Sequence, residues 1–414
     1  MRIAYLCQYF PPEIGAPSAR VSELSQAWTE MGHEVCVITG LPNHPTGRIP
    51  PEYRGVIFRK EHLRAVEVWR NWLYATPNEG LIKKTLSHVS FMVSAAVLST
   101  PRLRDVDVLI VSSPTFFSVL TAWFMSRSRG IPFIFEVRDL WPGIFIELGV
   151  LRNRALIRTL EAIEMFLYRS AARIVVVTES FRANLEARGV SAAKLATITN
   201  GVDGTLFVPG ERDNPIRAEH DLLGKFVVLY IGAHGISHAL HSVLDAAQLT
   251  ATDPDICWVF VGEGAEKARL VAHSRDRGLT NVRFVAGQPK RLMPEWYAAC
   301  DVALVPLRKI PLFDAFIPSK MFEIMACGRP IVASVRGEAR RILAASGASI
   351  TVEPEDAPAV AAAVRSLKDD PEMCVSLGAA GRQFVLANYE RKELARKYAV
   401  LLETVVRAHA RAEA

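Results

Sequence analysis

Along the chain, unbroken apolar runs alternate with stretches whose apolar positions recur three and four residues apart. The short run Arg2–Cys7 leads into a Pro/Gly loop at Phe10–Pro17. Behind Ser18, which reads as a cap, Val21, Leu24, Ala27, Trp28 and Met31 keep helical spacing. Gly32-His33 closes that helix before the next apolar run, Glu34–Thr39. Runs without polar alternation suit strands covered on both faces, which implies a parallel sheet between helices. They recur at Val106–Val111, Pro132–Val137 and Arg173–Thr178. A second series follows at Phe226–Gly232, Cys257–Val261, Val282–Ala286, Val302–Pro306 and Pro330–Ser334. Between the series, Asn200-Gly201-Val202-Asp203, Pro209-Gly210 and Asn214-Pro215 carry the turn chemistry of a linker. The pattern predicts one α/β domain over 1–203, a second over 204–387, and a charged amphipathic helix over 388–414 expected to return to the first domain. Two parallel sheets facing each other would present their carboxyl ends to one cleft, where such folds bind ligands.

Composition narrows the choice of partners. Half of the 414 residues are hydrophobic and 22% are charged, which excludes a disordered tail or a fibre. Lys and Arg exceed Asp and Glu by 49 to 43, a net +6. So mild a charge, without an aromatic–basic β platform or a helix-turn-helix, argues against a nucleic-acid partner. Cys7, Cys36, Cys257, Cys300, Cys327 and Cys374 form no CxxC pair and read as buried thiols of a reducing, cytoplasmic compartment. The apolar start is too short for a signal peptide. Ser112-Ser113-Pro114 interrupts the uncharged run Val108–Met125, which reads as strand, turn and helix start rather than a membrane span of about 20 residues.

Two segments carry candidate phosphate chemistry. Tyr230-Ile231-Gly232-Ala233-His234-Gly235 follows a strand and opens a helix near Ser237, so glycine backbone N–H groups can approach an anion. A plain strand-to-helix turn is the alternative. The spacing is not GxGxxG, and no later acidic residue stands where a dinucleotide fold needs one. His234, His238 and His241 are spaced for one helical face, but no carboxylate completes a metal site, so no metal is assigned. His234 is assigned to phosphate, with His238 and His241 solvated or packed. In Pro318-Ser319-Lys320-Met321-Phe322-Glu323, a helix begins after Pro318 and stops at Gly328. Ser319 and Lys320 in its first turn can meet a diphosphate, and Glu323 on the same face suits ribose hydroxyls.

Ser319–Pro330 resembles the signature of family 4 glycosyltransferases, retaining enzymes of the two-domain GT-B fold. The resemblance extends over nearly the whole chain. It includes Gly32-His33-Glu34-Val35, Asn200-Gly201-Val202-Asp203 with Phe207 and Pro209, Gly262-Glu263-Gly264 and Tyr297–Val302 before Pro306. Glu136–Pro142 and Pro42-Asn43-His44-Pro45-Thr46-Gly47 resemble the O-antigen and exopolysaccharide subgroup, fucosamine transferases included. The resemblance implies a nucleotide-sugar donor, UDP by family frequency, held by the second domain. Glu323 would grip the ribose, Ser319 and Lys320 the diphosphate, Gly232, His234 and Gly235 the phosphates, and Gly287-Gln288-Pro289 the base. Arg138 and Asp139 occupy the family's usual His-Asp position beside the reacting sugar, and Gly15-Ala16 a loop near donor and acceptor. With Lys320, Glu323, Arg138 and Asp139 as the catalytic set, neither a cofactor nor a metal is called for.

Two departures bear on mechanism. The first Glu of the family's Glu-x7-Glu pattern is replaced by Ala315, with Asp314 one residue off. The phosphate loop lacks its usual Arg and Lys, which leaves Lys320 to meet the leaving diphosphate. On the acceptor side, eight basic residues between Arg59 and Arg104 face Glu61, Glu67 and Glu79 and are interleaved with Trp69, Trp72, Tyr74 and Phe91. This stretch reads either as a contact with an anionic membrane or as a solvated, loop-rich insertion with one helix over Ser87–Leu98. The membrane reading agrees with the polyprenyl-diphosphate-linked saccharide that the resemblance implies as acceptor, and with a peripheral location on the inner face of the cytoplasmic membrane. A nucleotide-sugar 2-epimerase and a non-catalytic nucleotide-binding membrane protein stay open, the latter because of Ala315.

Overall fold

The computed structural model describes residues 1–414 except 14, 45, 77–80, 114–115, 148–150 and 414; Pro45, Glu79 and Pro114, used above, lie outside the described residues. The chain divides into two compact units, Met1–Thr199 with Lys392–Ala414, and Asn200–Arg391.

The first unit holds an eight-stranded sheet: β1 (Arg2–Leu6), β2 (Glu34–Gly40), β3 (Phe58–Leu63), β4 (Val66–Asn71), β5 (Val108–Ser112), β6 (Phe133–Val137), β7 (Arg173–Val176) and β8 (Leu195–Thr197). Their order is β3-β4-β2-β1-β5-β6-β7-β8, and β3 alone runs antiparallel to its neighbour. The central strands are buried along their length, as their unbroken apolar runs require. The first helix, Ala16–Glu30, begins before Ser18: Pro17 suits its first turn, and Gly15 rather than Ser18 stands at the cap.

The basic stretch departs from its expected form. Its first half is the β3–β4 hairpin, where Glu61 and Glu67 pair with three of the four cations. Arg70, 2% exposed, bonds Glu61 at 2.8 Å; Arg59 reaches Glu61 at 3.6 Å; Lys60 pairs with Glu67. Trp69 is buried and donates to Glu67 at 3.0 Å. The expected Ser87–Leu98 helix runs from Leu81 to Ser99.

The second unit has six parallel strands: β9 (Phe226–Ile231), β10 (Ile256–Val261), β11 (Val282–Val285), β12 (Val302–Pro306), β13 (Ile331–Ser334) and β14 (Ser349–Val352). They are ordered β11-β10-β9-β12-β13-β14. Val227, Leu229, Val259 and Val305 pack on one face of this sheet, and Val228, Trp258, Phe260 and Leu304 on the other. The terminal helix, Arg391–Glu413, belongs to the first unit's core, where Leu394, Ala395, Tyr398 and Leu402 meet Tyr5 and Trp28. Trp28 Nε1 donates to the Ala395 carbonyl at 3.0 Å, and its ring meets Tyr398 edge-on.

Candidate active site

In the second unit, β9 ends at Ile231 and Gly232 turns the chain at φ 146°. A Cβ on Gly232 would lie 2.5 Å from Lys320 Nζ. Gly262 and Gly264 approach still more closely: their Cβ atoms would stand 1.9 Å from the Gly232 carbonyl oxygen and 2.4 Å from that of His234. Glycine is therefore needed where two strand-end loops stack backbone on backbone. Gly232 N–H bonds Val261 O at 3.0 Å and His234 N–H bonds Glu263 O at 2.8 Å. The helix expected from Ser237 starts at Leu240 instead, because left-handed Ala239 (φ 45°) separates it from the short turn Ile236–His238.

Lys320 opens the helix Lys320–Ala326. Its ammonium lies 3.9 Å from the centroid of the Tyr230 ring, and among the described residues it has no hydrogen-bond partner. Burial pushes this ammonium down to about 7, against the opposing pull of Glu323. A buried ammonium above an aromatic face, with its donors unused, is suited to receive an anion.

The three histidines part company. His234 is fully buried among Tyr230, Phe260 and Phe284, with both ring nitrogens unpartnered among the described residues. Burial, then Lys267 and Lys320, lowers its imidazole to about 4, so at neutral pH it is a neutral hydrogen-bonding group rather than a cation. His238 sets Nδ1 3.3 Å from Pro306 O, and His241 pairs with His273 at 3.1 Å and Glu266 at 3.3 Å. Among the described residues, no group of three or more His, Cys, Asp or Glu side chains is arranged to hold a metal ion.

The other positions expected to meet the donor make the following contacts. Glu323, in the same first turn as Lys320, accepts from Tyr297 Oη at 3.2 Å. Ser319 Oγ accepts from Asn200 Nδ2 at 3.1 Å. Gly287 N–H donates to Glu263 Oε1 at 3.1 Å, and Gln288 Nε2 turns back to Ala286 O at 3.3 Å. Pro289 precedes the turn Lys290–Leu292. Lys267 bridges Gly262 O and Glu263 Oε1, each at 2.8 Å, and so braces the loop beside Gly287. Asp314 and Ala315 end the short turn Pro311–Ala315; Gly337 lies so close that its Cβ would stand 1.9 Å from the Asp314 carbonyl oxygen.

In the first unit, Gly15 (φ 152°) caps the first helix and Ala16 is that helix's first residue. Arg138 and Asp139 follow β6, and both backbone N–H groups donate to Ser113 Oγ, at 2.8 and 3.4 Å. Burial raises the Asp139 carboxyl and lowers the Arg138 guanidinium, while each favours the other's charged form. Two residues upstream, Glu136 is fully buried and accepts from Tyr5 Oη (2.8 Å), Ser112 Oγ (3.0 Å) and Arg20 Nη2 (3.1 Å).

Tyr230, Tyr297, Lys267 and the Arg20–Glu136 pair escaped the reading of the sequence. Tyr230 occupies an ordinary strand-end position. Only the four-residue spacing of Glu263 and Lys267 was a visible signal.

Residues 15–201 match the family described as Glycosyl transferase 4-like domain, and residues 212–384 match Glycosyl transferases group 1. The chain is 26% identical over 366 residues to the putative colanic acid biosynthesis glycosyl transferase WcaI of Escherichia coli, covering 86% of this chain and 89% of that protein. It is 25% identical over 331 residues to the probable glycosyltransferase WbjE of Pseudomonas aeruginosa, covering 79% and 82%. Among solved structures, sucrose-phosphate synthase from Thermosynechococcus elongatus superposes with a TM-score of 0.76 at 21% identity, over 98% of this chain and 99% of that one. Anabaena HepE in complex with UDP and glucose superposes with a TM-score of 0.73 at 16% identity, over 97% and 99%.

Proposed function

Its two domains make the chain a glycosyltransferase of the GT-B fold, and from that premise we propose that it transfers a sugar, with retention, from a UDP-sugar to a polyprenyl-diphosphate-linked saccharide during cell-surface polysaccharide synthesis. The observation that carries this reading is the unpartnered Lys320 ammonium over Tyr230, against Gly232. A diphosphate on that loop would give the ammonium its missing partner, and charge building on the leaving group would strengthen the contact in the transition state. Glu323, oriented by Tyr297, takes the ribose, Ser319 the diphosphate, and the Gly287-Gln288-Pro289 loop the base. His234 offers a neutral N–H. Arg138 and Asp139 serve the reacting sugar from the first unit, with Gly15-Ala16 toward the phosphates. Asp314 is assigned to the donor sugar in place of the carboxylate that Ala315 lacks. The structures of HepE with UDP and UDP-glucose favour uracil as the base and so UDP as the donor nucleotide. The name of WcaI favours exopolysaccharide synthesis, and an N-acetylated amino sugar remains our choice of donor sugar.

The acceptor side is read as membrane-facing. Among the described residues, no helix is long and apolar enough to cross a membrane. The helices Leu81–Ser99, Phe116–Arg129 and Arg154–Ser170 pack in series. They leave Ile82, Leu86, Val93, Val97, Phe124, Leu156 and Phe166 exposed, with Lys83, Arg127, Arg158 and Arg169 also exposed. Apolar side chains bordered by cations suit an anionic leaflet, so the membrane contact is assigned to these helices rather than to the hairpin, three of whose four cations are ion-paired.

A thermal-shift panel of UDP, GDP, ADP and dTDP tests the base; UDP should give the largest shift, since ligand at 100 times its Kd adds about 2.7 kcal/mol. Lys320→Ala should lower kcat about 100-fold, roughly 2.7 kcal/mol, with less effect on donor binding, and wild-type turnover should persist in EDTA. A kcat within threefold of wild type would remove Lys320 from the role.

A further inference from the structure

A second group of bases gathers at the carboxyl ends of β1 and β2, apart from the positions assigned to the donor. Gln8 and Tyr9 follow β1, and Asn43 and His44 follow β2. Lys84 and His88 stand one turn apart on the Leu81–Ser99 helix. Buried Gln8 donates its side-chain N–H to Ser87 Oγ at 3.5 Å and bonds His88 Nδ1 through its carbonyl oxygen. The His44 ring meets Tyr9 edge-on at 5.2 Å. Glu13 ties the two loops together, accepting from Asn43 N–H (3.0 Å), His44 N–H (2.9 Å) and Phe10 N–H (3.3 Å). Both imidazoles are held below their ordinary value, His88 at about 4, by burial first and by the charge of Lys84 second. Lys84 is therefore within electrostatic reach of both. The carboxylate on these loops, Glu13, is occupied by backbone N–H groups and is not ion-paired to any of the three bases.

Three basic groups from two segments, the loop after β2 and the Leu81–Ser99 helix, thus gather at the end of a parallel sheet where ligands bind, and among the described residues none of them is ion-paired to a carboxylate. We infer that Lys84, His44 and His88 form a subsite for the phosphate or diphosphate group of the acceptor. The inference rests on the proposed transfer to a phosphate-linked acceptor and says where that acceptor's charge is held. Lys84, whose ammonium is lowered from its ordinary value by burial, supplies the charge. The two imidazoles, neutral in the empty protein, take up protons as the anion arrives; His88 Nδ1 is bonded to Gln8, so Nε2 receives its proton. Of the other ionisable groups against the cluster, Tyr9 is pushed up to about 12 by burial and Glu13, and burial raises Glu13 while Arg70 opposes it. Binding should therefore tighten as pH falls from 8 to 6.

Farnesyl diphosphate, farnesol and inorganic pyrophosphate, titrated calorimetrically into full-length protein saturated with UDP, test the assignment. Farnesyl diphosphate should bind, more tightly at pH 6 than at pH 8, and farnesol should not. Pyrophosphate binding would show that the charge suffices without the lipid. Lys84→Met, at an exposed position, and His88→Gln should each weaken farnesyl diphosphate at least tenfold while UDP affinity stays within twofold. Absence of binding, equal affinity in Lys84→Met, or displacement of the probe by added UDP would overturn the subsite. Failure of UDP itself to bind would instead strike the transferase reading.

Discussion

With Lys320 in the proposed contact to the donor's diphosphate, its ammonium should couple donor binding to pH. Burial takes it from its ordinary 10.5 to about 7, so between those values the folded, empty protein holds fewer protons than the unfolded chain. By linkage, this group makes stability rise with pH across that window. A bound diphosphate favours the charged form and raises the value again. UDP binding should thus take up as much as one proton above pH 7, and Kd should weaken by up to about tenfold per pH unit toward pH 9. Calorimetry in two buffers of different ionisation enthalpy measures that uptake; its persistence in Lys320→Met would exclude Lys320 as the source. The position was legible in the sequence, because a helix bracketed by Pro318 and Gly328 can place Lys320 only in its first turn. Its partner was not. Tyr230 comes under the ammonium only when β9 and the Lys320–Ala326 helix pack together.

Elements of the first unit are joined through Glu136. Arg20, on the first helix, bonds this carboxylate and also the Ile198 and Thr199 carbonyls, at 3.1 and 2.9 Å. One ion pair therefore links that helix, β6 with the Arg138-Asp139 turn beyond it, and the segment after β8. Burial alone would raise the Glu136 carboxyl, but Arg20 and Arg138 outweigh it and hold it below its ordinary value. Its stabilisation is accordingly present above about pH 4.5 and is lost as pH falls through the lower folded value. Arg20→Met leaves the buried Glu136 carboxylate without its ion-pair partner, with only the charge of Arg138 and two hydroxyl donors to hold it, and should cost about 3 kcal/mol in urea unfolding at pH 7. Acid unfolding, followed by circular dichroism, should begin at higher pH; a loss under 1 kcal/mol would mean the pair is dispensable. Glu136 belongs to a recognisable motif, yet nothing local marks it as buried, since its partner lies 116 residues away in sequence. The β3–β4 hairpin escaped notice for a similar reason. Its alternating charges look solvated until cross-strand neighbours pair them.

For the molecule as a whole, the exposed apolar residues on three first-unit helices should produce binding to vesicles containing anionic lipid. Flotation with and without phosphatidylglycerol measures this, and Leu86→Ser with Val93→Ser should reduce the bound fraction severalfold without changing the UDP thermal shift. Lipid-independent flotation would refute the membrane contact. At the same scale, the terminal helix joins the core of the first unit, from which it is separated by the entire second unit.

The sequence by itself determined two largely parallel α/β sheets and the glycines of the turn after β9. Strands buried on both faces must be apolar throughout, and a backbone pressed against a backbone leaves no room for a Cβ. Tertiary structure decided the rest: which charges are neutralised, as in Arg70 with Glu61, which stay unpartnered, as in Lys320, and which bases gather, as in His44, Lys84 and His88. Electrostatic environment depends on distance in space, and residues far apart along the chain acquire that distance only when the sheets and helices have packed.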